Sequence, residues 1–342
     1  MDQRMDALPL LETRGLKKYF RVRAGGALKM LHAVDDVSVT LFPRRTLGVV
    51  GESGCGKSTL GRVILRLLDA TEGQVLFRGE NILAFNRRRM FLTRRKMQII
   101  FQDPYSSIDP RMSVAEIIAE YMLIHKTCSG RTAAFQRAAE LMDIVGLARR
   151  YAGAYPHELD GGRRQRIGIA RALSLSPEFI VCDEPVSALD VSIQAQILNL
   201  LMDIQEDRGL TYLFITHDLS VVRHISDEIM VMYLGQCVEH APSDVLFENP
   251  LHPYTRALLS AIPEPDISMR DREIRVIKGE VTSPIDPPPG CRFAARCERV
   301  MEICREKTPP LRQSGVEKDR KEGVPRSAKE HDRHFVACHL EF

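Results

Sequence analysis

The chain has 342 residues, an apolar fraction of 44% and a net charge of +3. That length holds one large domain plus a smaller one, or two ordinary ones. The small charge, the few aromatics and the absence of tryptophan argue against a nucleic-acid binder, and no apolar run reaches the roughly 18 residues of a membrane span.

The opening stretch "MDQRMDALPLLETRG" carries acids and no long apolar core, so no secretory signal is expected. The chain is expected in the cytosol, where its eight cysteines read as free thiols or metal ligands rather than disulfides. From "LKKYF" to "VSVTLF" (16–42) the pattern predicts antiparallel strands at a sheet edge. Five apolar runs then read as strands buried on both faces: "LGVVG" (47–51), "MQIIFQD" (97–103), "FIVCDE" (179–184), "TYLFITHD" (211–218) and "EIMVMYLG" (228–235). Helical patterns lie between them at 56–69, 131–147, 163–175 and 192–209. This alternation predicts an α/β domain with a mainly parallel sheet. Residues 105–175 hold no buried strand and predict a helical subdomain. After residue 245 the chain turns Pro-rich, and "SPIDPPPG" (283–290) breaks regular structure. The polar stretch 306–333 predicts a loop.

"GESGCGKST" (51–59) fits G-x-x-x-x-G-K-[ST], after a strand and at a helix start, the context this phosphate loop requires. Gly51, Gly54 and Gly56, with Ser53 and Cys55 between them, let backbone N–H groups converge on phosphate oxygens. The helix that follows adds the positive end of its dipole. Lys57 is expected to reach the β- and γ-phosphates, Ser58 to ligate Mg²⁺, and Thr59 to complete the motif. ATP and Mg²⁺ are therefore the expected ligands. In "FIVCDEP", Asp183 ends a buried strand, where ligands gather in open α/β sheets. It is expected to hold Mg²⁺ through water, and Glu184 to polarise the attacking water. Cys55 is expected to be open to alkylation that ATP would block, whereas Cys128, Cys182 and Cys237 read as ordinary small side chains.

"YPHELDGGRRQR" (155–166) sets Gly161 and Gly162 among arginines, a backbone nest for an anion, yet Asp160 stands at its lip. Near the C-terminus, Cys291, Cys297, Cys304 and Cys338 follow C-x5-C-x6-C-x33-C. Zinc sites prefer closer pairs. Four thiolates suit zinc or an iron–sulfur cluster, and four unrelated thiols are the third possibility. So short a segment builds little core, so a metal there would act as a staple.

In order and spacing these motifs resemble the nucleotide-binding subunit of an ABC transporter, over about residues 12–245. The resemblance implies a RecA-like core with an antiparallel β edge and a helical subdomain at about 105–175. A smaller Cys-rich extension would follow at 246–342. It implies that Gln102 senses the γ-phosphate, helps ligate Mg²⁺ and meets the membrane subunits. "SALD" (187–190) would be the D-loop and His217 the switch histidine on the γ-phosphate. Tyr19 would stack on adenine, with Phe20 as second candidate. Residues 155–166 would be the signature segment, normally L-S-G-G-Q, which closes over the ATP of a second subunit in a head-to-tail dimer. Here Asp160 replaces the serine and Arg163 the glutamine.

Two expectations follow. A carboxylate beside a γ-phosphate costs electrostatic energy, offset in part by Arg163 and Arg164. The ATP site closed by Asp160 would then turn over poorly, and a different partner ATPase would be favoured over a homodimer. Alternatively, Asp160 turns outward and caps its own helix. "VVGESGCGKSTLGR", "IFQDPYSSIDPRMSV", "CDEPVSALDVSIQAQILNLL" and "ENPLHPYTRALLSAIP" narrow the resemblance to ATPases of dipeptide, oligopeptide and nickel importers. His-Pro-Tyr (252–254) would open their C-terminal extension. That group implies two membrane permeases, docked from Pro104 to about Glu120, and an extracytoplasmic binding protein. It places the chain peripherally on the cytoplasmic face of the inner membrane. It also favours [4Fe–4S] over zinc at the four cysteines. A non-transport ABC ATPase and a regulatory nucleotide-binding subunit are the alternatives. One P-loop without a tandem copy argues against the first, and intact Glu184 and His217 against the second.

Overall fold

A computed structural model of the chain describes residues 8–103, 107–262, 279, 282–314 and 334–340. Residues 104–106, which open the expected docking segment, and 315–333 of the expected polar loop lie outside them. The chain divides into two compact units interleaved in sequence. One takes Met1–Glu12, Thr40–Thr46 and Leu76–Thr216; the other takes Thr13–Val39, Leu47–Val75 and His217–Phe342.

In the first unit three strands, Met97–Ile100, Phe179–Asp183 and Thr211–Ile215, run parallel, in register from Met97↔Phe179 and Phe179↔Thr211. Every residue of the last two is buried. That burial is why they read as unbroken apolar runs in the sequence rather than as alternating ones. Three helices pack on one another: Val114–Ile124, Arg131–Ile144 and Gly161–Leu173. The first begins with a capping box, in which Ser113 Oγ accepts from the Glu116 N–H and the Glu116 carboxylate accepts from the Ser113 N–H. The helix Val191–Arg208 stops at Gly209, whose φ of 64° is left-handed.

In the second unit the strand that feeds the phosphate loop pairs in parallel with Glu228–Tyr233, from Leu47↔Glu228 to Val50↔Val231. Gln236–Pro242 continues antiparallel, followed by Phe335–Val336 and Arg312–Gln313. The early strands, Leu11–Ala24 and Ala27–Leu41, form a hairpin that corrects the sequence expectation. They belong to a separate sheet, with Leu11–Ala24 between Ala27–Leu41 and Glu72–Phe77, and not to the edge of the parallel sheet. The cause is local. Gly25 and Gly26 have φ of 59° and 79°, the turn that a tight two-residue hairpin needs, and Glu72–Phe77 then supplies the hairpin's partner. Among the described residues, no helix is long and apolar enough to cross a membrane.

Candidate nucleotide site

The phosphate loop is shaped by backbone crowding. A Cβ on Gly51 would stand 2.2 Å from the Met232 carbonyl oxygen, and one on Gly56 1.9 Å from that of Ala33. Gly56 is also the N-cap of helix Lys57–Ile64, at φ 105°, and offers no side-chain cap. The N–H groups at that helix start are thus aimed by glycine alone. Lys57 is buried, and its ammonium donates to the Gly51 and Glu52 carbonyl oxygens at 2.7 and 3.0 Å. The Gly235 N–H donates to the Cys55 oxygen at 2.7 Å, tying the loop to the turn after strand Glu228–Tyr233. Ser58 and Thr59 lie on the first turn of the helix, half-buried, while Ser53 and Gly54 are exposed. The Cys55 thiol is buried, and burial raises its pKa. This corrects the expectation of ready alkylation, since the thiolate is the reactive form.

Tyr19 sits in the same unit. Its ring stacks on His32 with centroids 4.0 Å apart. Its hydroxyl donates to Asp35, which also accepts from Arg292. Burial, then the Asp35 bond, push the Tyr19 phenol up, so it stays a donor. Burial opposes the Asp35 charge, but the Tyr19 hydroxyl and the Arg292 guanidinium outweigh it and hold the carboxyl below its usual range. Phe20, the second candidate, has the Lys18 ammonium 4.8 Å from its ring centre. His217 is exposed, between strand Thr211–Ile215 and helix Leu219–Ile225, whose N-cap is Asp218.

In the first unit Asp183 is buried at the strand end and Glu184 follows with φ 48°. The Glu184 N–H donates to the Ile215 oxygen at 2.9 Å, which fixes the turn. Gln102 Nε2 donates to a Glu184 carboxylate oxygen at 2.8 Å. The Gln102 side chain and the expected base are therefore hydrogen-bonded, a contact the sequence did not reveal.

The signature turn differs. Asp160 is the N-cap of helix Gly161–Leu173 and accepts from the Arg163 N–H at 2.8 Å. The Arg163 guanidinium also donates to the Asp160 carboxylate at 2.5 Å. The two departures from the usual motif thus pair with each other. Arg164 is buried and donates to the Pro156 and His157 carbonyl oxygens at 2.5 and 3.4 Å. It braces the preceding segment, and Arg163 supplies the charge match. Gly162 lies against Ile193, whose Cγ2 a Cβ there would meet at 2.7 Å, and Gly161 against Leu189 at 3.2 Å.

The four C-terminal thiols share one neighbourhood. Burial, with the charges of Cys304, Cys338 and Cys297 adding, pushes Cys291 up to about 11. Burial likewise raises Cys297 and Cys338. Among the described residues, however, no group of three or more His, Cys, Asp or Glu side chains is disposed to hold a metal ion. The expected [4Fe–4S] or zinc site finds no support in this geometry.

A glycine-shaped phosphate loop, a buried strand-end aspartate with an adjacent glutamate, and a capped glycine turn define an ATP-binding cassette. Comparison with known proteins agrees. Residues 34–187 match the ABC transporter family, and residues 238–304 match the oligopeptide/dipeptide transporter C-terminal region. The dimeric ATP-binding cassette MJ0796, in a post-hydrolysis state bound to ADP and Pi, aligns with a TM-score of 0.62 at 26% identity. That alignment covers 68% of this chain and 98% of the cassette. The chain belongs to the ATP-binding subunits of ABC transporters, which are ATPases. The putative oligopeptide transport ATP-binding protein YkfD of Bacillus subtilis is 51% identical, over 98% of this chain and 97% of its own length. The dipeptide transport ATP-binding protein DppF of Escherichia coli is 48% identical over 90% of this chain and 92% of its own.

Proposed function

We propose that this chain hydrolyses ATP to drive import of dipeptides or oligopeptides through an ABC transporter. The observation that carries this reading is near-full-length identity of about half to peptide-transport ATP-binding proteins, reaching through the C-terminal region. Gly51 to Thr59 bind the phosphates, Lys57 neutralises the β- and γ-oxygens, and Tyr19 stacks on adenine. Ser58, Gln102 and Asp183 would hold Mg²⁺, which would supply neutralisation of phosphate charge. Glu184 takes the proton of the attacking water, Gln102 orients its carboxylate, and His217 contacts the γ-phosphate.

The partners we assign are a second ATPase subunit packed head to tail, two membrane permeases and, through them, an extracytoplasmic binding protein. This puts the chain peripherally on the cytoplasmic face of the membrane. Asp160, Gly161 and Gly162 close over the partner's ATP. A different partner with a serine signature is favoured, because Asp160 keeps a carboxylate at that helix start even when paired with Arg163. ATPase and peptide uptake in vesicles holding the whole transporter test the proposal. Uptake of labelled dipeptide that vanishes with Glu184→Gln supports it, and uptake of another solute class alone sinks it. The four cysteines we propose as ligands of a [4Fe–4S] cluster, or alternatively zinc, on donor chemistry alone. Iron and zinc analysis after anaerobic purification decides, and a metal-free chain with unchanged melting withdraws the ligand role.

A further inference from the structure

Two arginines of the C-terminal region reach Asp35, in strand Ala27–Leu41, and Glu52, in the 51–59 loop. Arg292 donates to Asp35, the acceptor of the Tyr19 hydroxyl, and to the Leu234 carbonyl oxygen. Arg296 grips the Glu52 carboxylate with both terminal nitrogens, at 2.8 and 3.1 Å. Glu52 is the second residue of the phosphate loop, and its carbonyl oxygen accepts from Lys57. Both guanidinium groups are nearly buried, with 6% and 7% of their side-chain surface exposed. Ion pairs of that kind hold geometry far better than pairs on the surface.

The segment between them is anchored. Phe293 is buried in a core with Val50, Val231, Tyr233 and Tyr254. Its ring meets Tyr233 edge-on at 5.2 Å and lies 5.4 Å from Tyr254. The Tyr254 hydroxyl in turn accepts from the Glu52 N–H at 2.9 Å. The short turn Ala294–Arg296 then returns the chain toward the loop. One anchored segment therefore carries both arginines, one reaching Asp35 and the other Glu52.

We propose that Arg292 and Arg296 are positioning residues for ATP: Arg292 orients the Tyr19 ring through Asp35, and Arg296 holds the phosphate loop through Glu52. The C-terminal region is thereby part of the nucleotide site. This rests on the reading of Tyr19 as the adenine platform and of residues 51–59 as the phosphate loop. The two arginines act at opposite ends of the ligand, so their loss leaves different signatures. A merely structural role for Arg292 would weaken both ligands alike, and one for Arg296 would leave Arg296→Lys as weak as Arg296→Gln, although its ammonium still pairs with Glu52.

The test is competition binding to the purified full-length chain, with a fluorescent ribose-labelled ATP displaced by ATP or by tripolyphosphate, which has no base. Arg292→Gln is expected to weaken ATP about tenfold, or about 1.4 kcal/mol, while tripolyphosphate stays within about twofold. Arg296→Gln is expected to weaken both by a similar factor, about tenfold. Arg292→Lys should recover much of the preference for ATP, because an ammonium still pairs with Asp35. Tyr19→Ala separates this inference from the reading beneath it. If Tyr19→Ala keeps the ratio of ATP to tripolyphosphate affinity, the stacking reading falls and the Arg292 half with it, while Arg296 is judged by its own variant. If Tyr19→Ala loses the ratio but Arg292→Gln keeps it, the Arg292 half alone is overturned. Equal loss of both ligands in Arg292→Gln overturns it too. Arg296→Gln that binds both as tightly as the native chain overturns the phosphate-loop half. Should a glutamine variant fail to fold, the methionine variant at that position, which also lacks the ion pair, is read by the same ratios.

Discussion

Two glycine turns in this chain open helices, and they meet negative charge in opposite ways. At Gly56 the helix start has no side-chain cap, and glycines pressed against the Ala33 and Met232 carbonyls aim the backbone. At Asp160 the helix start carries its own carboxylate, which accepts from the Arg163 N–H and pairs with its guanidinium. The first turn leaves its positive end for an outside anion. The second has brought an anion of its own. Gly-rich sequence before a helix therefore does not settle what the turn binds; the residue at the N-cap does.

The largest effect that would sharpen this contrast is chemical. In the assembled transporter, Glu184→Gln should lower ATP turnover about a hundredfold or more. Turnover near the native rate would mean that the site closed by Asp160 does the work. Next comes the glycine turn itself. Gly56→Ala forces a side chain onto the Ala33 carbonyl at a left-handed φ, so it should destabilise the chain by about 3 kcal/mol in denaturant unfolding and abolish ATP binding.

A third helix start extends the comparison. His252 caps helix Pro253–Ser260, its Nδ1 accepting from the Tyr254 N–H at 3.1 Å. Burial pushes its pKa down to about 4, so the imidazole is neutral there. The unfolded chain binds this proton below its ordinary pKa of about 6.5, whereas the folded chain does so only near 4. Stability from this group is thus full above pH 6.5 and is lost as pH falls toward 4, by about 3 kcal/mol. His252→Asn keeps a capping acceptor and should flatten that slope in pH-dependent melting. Smallest is the signature cap. Asp160→Ala should cost about 1 kcal/mol, and Asp160→Ser only a few tenths. Faster ATP turnover in the serine variant would confirm a penalty from the carboxylate, and an unchanged rate would leave it a cap and nothing more.

The parallel strands were legible because burial on both faces writes continuous apolar runs, as in Phe179–Cys182 and Thr211–Ile215. The phosphate loop was legible because Gly51 and Gly56 are forced by backbone contact. Asp160 was only half legible: residue type allowed both a repulsive lip and a cap, and side-chain geometry was needed to find Arg163 folded back on it. The strand Gln236–Pro242 escaped notice because it ends in proline and lacks an unbroken apolar run. Arg292 and Arg296 carried no local signal at all. Their acceptors, Asp35 and Glu52, lie 257 and 244 residues away, and no spacing rule reaches that far. The four cysteines show the converse, a strong compositional signal without matching side-chain geometry.

Glu184 holds a left-handed backbone angle, φ 48°, at the residue proposed to take the water's proton. Asparagine or glycine adopts that region with less strain than glutamate. A glutamate there costs about 1 kcal/mol of fold stability. Thermal robustness and turnover consequently pull against each other at this one position. A chain that needed only to bind nucleotide would be free to relax it, and selection for heat resistance alone would be expected to remove the glutamate before it touched the phosphate loop.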